Sequence, residues 1–431
     1  MKISRWLTGL AALLAIGSAA HAGNESDNSG RQAGGSLPAW TPGYLYIHHI
    51  STGRGNATYF VLPDGTTMLV DAGDVDSLAM EAFKPLKLQA PRPDATRRPG
   101  EWIADYIRQF APSDRPLKLD YALITHFHSD HFGTVVPSSP LSKTGAYRLT
   151  GITDVADAVP IGTLIDRAGP GYRTPADPLA CPNNRDGSLA NYFRFADYRQ
   201  AHGAATEALK PGSADQIVLR YRRSVFPAFA IRNIAASGVV WTGRGTRTRR
   251  YIPIRDAGGC SPLENPLSAA FKLNYGAFDY FSGGDLTGIR DDDEPLWHDM
   301  ETPVAAVVGP VDTMLLDHHG NRDATNATIL RTLKPRVIVQ ETWVSDQPGG
   351  EVVHRMISKT LWPGPRDIFA TGMLPETRIA IGPWMEKNYA GLSGHVVIRV
   401  APGGGEYEVF LLEDGDSIRR VKARFGPYAS R

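Results

Sequence analysis

The chain has 431 residues, of which 42% are hydrophobic and 21% charged. These are ordinary values for a globular protein with a sizeable core, and they exclude disorder throughout. The formal net charge of +1 excludes the global basic field expected of a protein that lives on nucleic acid.

Met1 to Ala22 reads as a secretory signal: Lys2 and Arg5 form a basic start, Trp6 to Gly17 is apolar, and Ala20-His21-Ala22 is a small-x-small cleavage pattern. The apolar run is shorter than the roughly 20 residues a membrane span needs, and no other stretch reads as transmembrane. Export and cleavage are expected, to the periplasm or the medium, and the formal charge then becomes −1 because only Lys2 and Arg5 are lost. Residues 23–40 follow as a flexible spacer, polar and Gly/Ser-rich from Gly23 to Ser36. Residues 41–431 are read as one domain.

Order begins near Trp40. Tyr44–Ile50, Thr58–Leu62 and Thr67–Val70 alternate with turn residues such as Pro63-Asp64-Gly65 and predict a strand meander. Glu101 to Phe110 carries Trp102, Ile103, Tyr106, Ile107 and Phe110 near helical spacing, which predicts a helix on the outside of the first sheet. Leu119 to Thr125 reads as a buried strand. From about 160 to 266 the pattern loosens into an insertion, with a helix over Leu189–Leu209 and strands near Phe229–Ile234 and Val239–Thr242. Long loops over a scaffold's mouth commonly carry selectivity, so this segment is expected to roof the substrate pocket. Its Arg244, Arg247, Arg249 and Arg250 read as a solvated hairpin rather than a phosphate track. Cys181 and Cys260 lack metal-ligand spacing, and in an oxidising compartment one disulfide between them is expected. Beyond the insertion come a helix over Thr325–Leu333, a strand over Arg336–Gln340 and a hairpin pairing His395–Val400 with Tyr407–Leu412. No repeat of solenoid length is visible.

The chemistry concentrates at the end of the Leu119–Thr125 strand. His126, His128, Asp130 and His131 place three imidazoles and a carboxylate within six residues. Alternate side chains of an extended loop point the same way, so His126 and His128 can grip one cation while Asp130 and His131 turn towards another. Imidazoles with a carboxylate suit zinc; manganese or iron is possible, and magnesium and calcium fit poorly.

With these residues the chain resembles the metallo-β-lactamase superfamily, whose signature is His-x-His-x-Asp-His after a strand. The likeness extends to Gly55-Asn56-Ala57-Thr58, to Thr67–Gly73, to Gly283-Gly284-Asp285 and to Asp317-His318-His319-Gly320, in the order that superfamily uses. Within it, Tyr44 to His319 is most similar to the hydrolase domain of competence proteins for DNA internalisation and their secreted relatives. There, Gly53-Arg54-Gly55-Asn56 stands for a Gly-x-Gly-Asp turn, with Asn in place of Asp. The resemblance implies a four-layer αββα sandwich with the long insertion lying between the first His motif and a bridging Asp.

The resemblance also implies the second half of a metal site. Asp285 follows an apolar strand and two glycines that allow close backbone approach, and is expected to bridge two cations. One of His318 and His319 is expected to ligate, with His319 preferred for its place beside the glycine and His318 left to touch substrate. Asp71 and Asp317 are assigned supporting roles, holding the His loop and orienting an imidazole respectively. The superfamily usually completes its first cation with one more histidine before the bridging Asp. Only His202 falls in that interval, in a helical stretch rather than at a strand end, and His48 and His49 are the other candidates. His298, His354 and His395 have no partners at ligand spacing and read as structural.

The expected activity is that of an exported metal-dependent hydrolase in which activated water attacks carbon or phosphorus, Asp130 steering the attack. The resemblance favours a phosphodiester or related ester as the small-molecule substrate; a β-lactam or lactone is the alternative. A reading of another class is a metal-binding or ligand-binding protein that has lost turnover. No Gly-x-Ser-x-Gly elbow or phosphate-cradling Gly-rich loop occurs.

Overall fold

The computed structural model describes residues 34–172, 177–180, 187–257 and 264–431. The expected signal segment and Cys181–Cys260 pairing lie outside them.

The chain builds one sheet, crosses to a second and returns. Strands β1 (Leu45–His49), β2 (Thr58–Val61), β3 (Thr67–Val70), β4 (Leu119–Ile124), β5 (Ile161–Asp166) and β6 (Thr206–Ala208) start the first sheet. The second contains β7 (Phe229–Ala236), β8 (Val239–Trp241), β9 (Thr248–Arg250), β10 (Ala270–Tyr275), β11 (Phe278–Ser282), β12 (Thr313–Leu315), β13 (Val337–Gln340), β14 (Asp367–Ala370) and β15 (Tyr389–Gly391). Finally β16 (His395–Val400), β17 (Glu406–Leu412) and β18 (Val421–Ala429) close the edge of the first. The orders are β18-β17-β16-β1-β2-β3-β4-β5-β6 and β15-β14-β13-β12-β11-β10-β7-β8-β9. Helices α1 (Pro99–Phe110), α2 (Ser129–Phe132), α3 (Gly151–Ala158) and α4 (Ser188–Ala201) belong to the first half. In the second half lie α5 (Ile254–Ala257), α6 (Glu301–Val308), α7 (Ala327–Leu333), α8 (Gly350–Ile357), α9 (Pro375–Ile381) and α10 (Pro383–Asn388).

Period-two alternation sorts the strand residues into layers. Leu45 and Ile47 of β1, Phe60 of β2 and Leu123 of β4 face Phe271, Leu273, Tyr280, Val337 and Val339 of the other sheet. Their neighbours Tyr46, Tyr59, Val61, Ala122 and Ile124 point outward, against Ile103, Tyr106 and Ile107 of α1, Ile152 of α3 and Tyr192 of α4. The second sheet turns Phe281, Met314 and Ile338 outward onto Val304 of α6, Ile329 and Leu330 of α7 and Val352 of α8. The result is the expected αββα sandwich, in which each fully buried large apolar side chain contributes about 1.5–3 kcal/mol.

The meander β1-β2-β3 is antiparallel, as is the β16–β17 hairpin, with His395 opposite Leu412. Residues 160–266 supply strands to both sheets, β5 and β6 to one and β7 to β9 to the other. The helix expected over Leu189–Leu209 stops at Ala201. Gly203, at φ +77°, reverses the chain there, and Thr206–Ala208 then pairs in parallel with β5.

Parallel pairing is confined to two blocks. β3, β4, β5 and β6 run parallel in the first sheet, and β11, β12, β13, β14 and β15 in the second. The loops leaving the carboxyl ends of β3, β4, β11, β12 and β13 therefore meet at one end of the sandwich, where α/β sheets ordinarily bind ligands.

Candidate metal centre

Each of those loops delivers part of one buried cluster. The His loop after β4 is held by backbone first. Asn56 N donates to Asp130 O at 2.8 Å and Ala72 N to His131 O at 2.8 Å. The approach needs glycine: a Cβ on Gly73 would stand 1.8 Å from Asp130 O, and one on Gly55 2.4 Å from it. The Gly53–Asn56 turn and the Asp71-Ala72-Gly73 segment thus form the seat of the His loop. The loop is tied to the other sheet as well, by Ala269 N donating to Thr125 O at 2.8 Å.

Asp71 ends β3 at φ +60°, a conformation Asp tolerates better than most residues. One carboxylate oxygen accepts Thr125 N at 2.8 Å, and the other lies 2.8 Å from His131 Nδ1. This leaves His131 Nε2 aimed away from Asp71, towards Asp285 Oδ2 at 3.2 Å and Asp130 Oδ2 at 3.4 Å. From the second sheet, His319 Nε2 approaches Asp130 Oδ2 at 3.0 Å and Asp285 Oδ2 at 3.3 Å. Its Nδ1 is held by the Glu341 carbonyl at 3.1 Å, so the ring, like that of His131, is oriented by a partner on its far side.

The ligand atoms of Asp130, His131, Asp285 and His319 all lie within 4.8 Å of one another, and all four residues are buried. His131 Nε2 and Asp285 Oδ1 have no hydrogen-bond partner. Buried polar atoms are ordinarily satisfied, and two such orphans converging with two further donors are what a cation would satisfy; these residues fit a divalent metal. His126 Nε2 lies 3.7 Å from Asp285 Oδ2 and 3.1 Å from His128 Nδ1. His318 Nε2 reaches the same Asp285 oxygen at 3.8 Å, its Nδ1 held by Asp323 Oδ1 at 2.6 Å. Asp285 therefore sits between two groups of imidazoles.

The electrostatics follow from burying two carboxylates together. Burial alone would push the His131 imidazole down, but Asp285, Asp130 and Asp71 hold it well above its ordinary range. Burial likewise works against His319, yet Asp285 and Asp130 bring it up to about 10. His126 is pushed well down by burial and by its neighbour His131. Despite burial, Asp285 stays well below the usual carboxylate range because of His131 and His319. Protons thus concentrate where a cation would be bound, and metal binding would displace them.

The other candidates fall elsewhere. His202 caps the end of α4, its ring stacked 4.0 Å from that of Tyr198. His48 and His49 alternate across β1: His48 Nδ1 meets the Tyr106 hydroxyl at 3.0 Å on the outer side, and His49 Nδ1 meets Glu341 Oε1 at 2.9 Å. None of the three joins the cluster. Asp317 does not orient an imidazole. His318 and His319 have φ of 45° and 55°, which turns their rings towards the cluster while Asp317 points back beneath Gly283 to Glu301 of α6. Burial pushes both of those carboxyls up, and the charge of Glu301 adds to the rise of Asp317.

Several residues of the site carry no local sequence signal. Glu341 accepts Ala57 N at 3.0 Å and the Thr58 hydroxyl at 2.7 Å, fastening β2 to the loop after β13. Trp343 stands edge-on to His319, with ring centroids 5.8 Å apart, and Asn265 Nδ2 lies 3.1 Å from His318 Nε2. Above the cluster is a cavity of about 700 Å³, with Asp130, Asp285, His128, His318 and His319 at its floor. The 160–266 segment contributes Ser188, Leu189 and Asn265 to it; Val75, Met80, Phe83 and Leu86, from a stretch without any motif, line it as well.

Residues 51–140 match the model of the Metallo-beta-lactamase superfamily, a span that includes the Gly-x-Gly turn, Asp71 and the His motif. No curated protein matches the chain. Among solved structures, one similar chain is named as a metal-dependent hydrolase from Parabacteroides distasonis, at 14% identity and a TM-score of 0.35, covering 79% of this chain and 98% of that one. Another is CmlA, a diiron beta-hydroxylase from Streptomyces venezuelae, at 14% identity and a TM-score of 0.37, covering 84% of this chain and 55% of that one. The two nine-stranded sheets and the matching segment 51–140 are what the chain shares with the αββα fold.

Proposed function

We propose that this chain is a metal-dependent hydrolase of the metallo-beta-lactamase superfamily, acting on an ester. The observation that carries the reading is the convergence of Asp130, His131, Asp285 and His319, with ligand atoms within 4.8 Å of one another, at the floor of a substrate-sized cavity. In this reading Asp130, His131, Asp285 and His319 would hold one cation, and His126, His128 and His318 would be available to a second. Zinc is the first choice for imidazoles with carboxylates, and manganese or iron is also accommodated.

A bound divalent cation supplies Lewis-acid polarisation of the scissile group and lowers the pKa of water towards neutrality. The remaining work falls to the protein's own groups. Asp71 and the Glu341 carbonyl fix the rings of His131 and His319 from behind. Asp130, which lines the cavity, orients the attacking water.

The closer likeness to hydrolase domains of DNA-internalisation proteins is carried by the sequence motifs alone, as is the preference for a phosphodiester. Export to the periplasm or medium belongs to the same proposal and rests on Met1 to Ala22. The test is elemental analysis of the purified protein together with hydrolysis of a chromogenic phosphodiester and a chromogenic β-lactam, before and after chelation. Stoichiometric metal with turnover that chelation removes and metal restores is the expected result. Metal-independent turnover, or no bound metal, would refute the reading.

A further inference from the structure

We propose that the cavity takes an uncharged carboxylic ester or lactone bearing a sizeable apolar group, in preference to a phosphodiester or any substrate with an anionic group away from the reacting bond. This deepens the hydrolase reading and rests on it.

The first observation concerns charge. Among the described residues lining the cavity there is no Lys or Arg, and its charged groups other than imidazoles are Asp130, Asp285 and Asp346. Metal ions at the floor would answer the charge of the reacting group alone. An anionic substituent further out, such as the flanking phosphates of an oligonucleotide, would meet no Lys or Arg among the described lining residues and would face Asp346. Arg167, behind Phe127, is already engaged: it is buried, stacks 4.3 Å from the Phe127 ring and is paired with Glu264.

The second observation is that the cavity is walled with apolar side chains from two separate clusters. Phe127, Phe132 and Leu189 form one wall. The other is built on Val75, Met80 and Val344, a small apolar cluster separate from the main core. That wall is fixed in place by backbone pairing between the segment after β3 and the loop after β13. Gln89 N donates to Trp343 O at 2.9 Å and Ser345 N to Lys87 O at 2.9 Å, and Leu88 and Val344 form an antiparallel bridge. An apolar wall held open by its backbone offers a preformed surface for an apolar substituent. At its edge Phe83 remains 59% exposed, a large ring in water beside the cavity, where a bound alkyl or aryl group would cover it.

The test uses the full chain, stripped of metal and reloaded with zinc. The specificity constants for p-nitrophenyl acetate, p-nitrophenyl octanoate and bis(p-nitrophenyl) phosphate are compared. Burying each methylene favours binding by about threefold to fourfold, so octanoate is expected to exceed acetate by at least about a hundredfold, with the phosphodiester slower than both. Phe83→Ser, at an exposed position, is expected to lower the octanoate-to-acetate ratio by about tenfold. Binding of the non-hydrolysable N-octylacetamide to the metal-free protein, followed by tryptophan fluorescence because Trp343 faces the cavity, is expected to saturate and to weaken in Phe83→Ser. Phosphodiester turnover above that of octanoate, or no dependence on chain length, would overturn the substrate class and leave the hydrolase intact. If no substrate is cleaved although metal is bound, the hydrolase reading fails. Saturable binding of N-octylacetamide would then still uphold the apolar specificity of the cavity, and its absence would overturn that too.

Discussion

Asp71 Oδ2 lies 2.8 Å from His131 Nδ1, and the same carboxylate accepts the backbone N–H of Thr125 at 2.8 Å. One side chain at the end of β3 thereby sets both the start of the His loop and the direction of its last imidazole. Replacing it with Asn keeps the shape and suits the φ of +60°, but removes the charge that raises ligand basicity. Asp71→Asn is expected to weaken zinc binding by about 10- to 100-fold with an unchanged circular dichroism spectrum. Competition with a calibrated chelator measures this, and wild-type affinity would mean that Asp71 does not support a ligand.

Asp130 stands 3.0 Å from His319 Nε2 and is the carboxylate of the His loop that reaches the cavity floor. Asp130→Ala is expected to lose metal and to reduce hydrolysis by at least about a hundredfold, the fold remaining because the loop is seated through its backbone. Unchanged turnover with stoichiometric metal would remove Asp130 from the mechanism.

Glu341 is buried and meets His49, Ala57 N and the Thr58 hydroxyl across the space between the sheets. Removing its carboxylate leaves those groups without their partner. Glu341→Ala is expected to cost about 3–5 kcal/mol of stability, read as a lowered urea midpoint, and Glu341→Gln to recover part of it. Equal midpoints for Ala and wild type would refute this.

Asp74 supplies a pH test away from the cluster. Its carboxyl accepts the Thr150 hydroxyl at 3.1 Å. Burial, with Asp154 of α3 adding to it against Thr150 and Arg54, pushes it from 3.8 up to about 7. A carboxyl raised on folding keeps its proton longer in the native state, so the native chain binds more protons between those two values. Its contribution to stability therefore declines as pH rises from about 4 to about 7, by at most about 1.4 kcal/mol per pH unit. Asp74→Asn is expected to flatten this slope and to exceed wild type in stability by about 2–4 kcal/mol at pH 8. Parallel stability profiles for the two proteins would contradict the assignment.

Local pattern was sufficient wherever the physics was local. Apolar runs broken by turn residues marked β1, β2, β3 and β4 as strands, and the spacing from His126 to His131 brought its donors together because a short loop after a strand offers them few ways to diverge. Asp285 and His319, remote in sequence, were legible only through the resemblance, since glycines and an apolar strand before a polar residue are common features. The tertiary structure alone decided the rest. His48 and His49 look alike as neighbours on β1, but which of them meets Tyr106 and which meets Glu341 depends on what packs on each face. Asp317 follows a strand just as its neighbours do, yet the left-handed backbone at His318 and His319 turns it to Glu301. Glu341, Trp343 and the Val75–Leu86 wall reach the site because parallel strands distant in the chain end at one edge of the sandwich, and no local spacing encodes that edge.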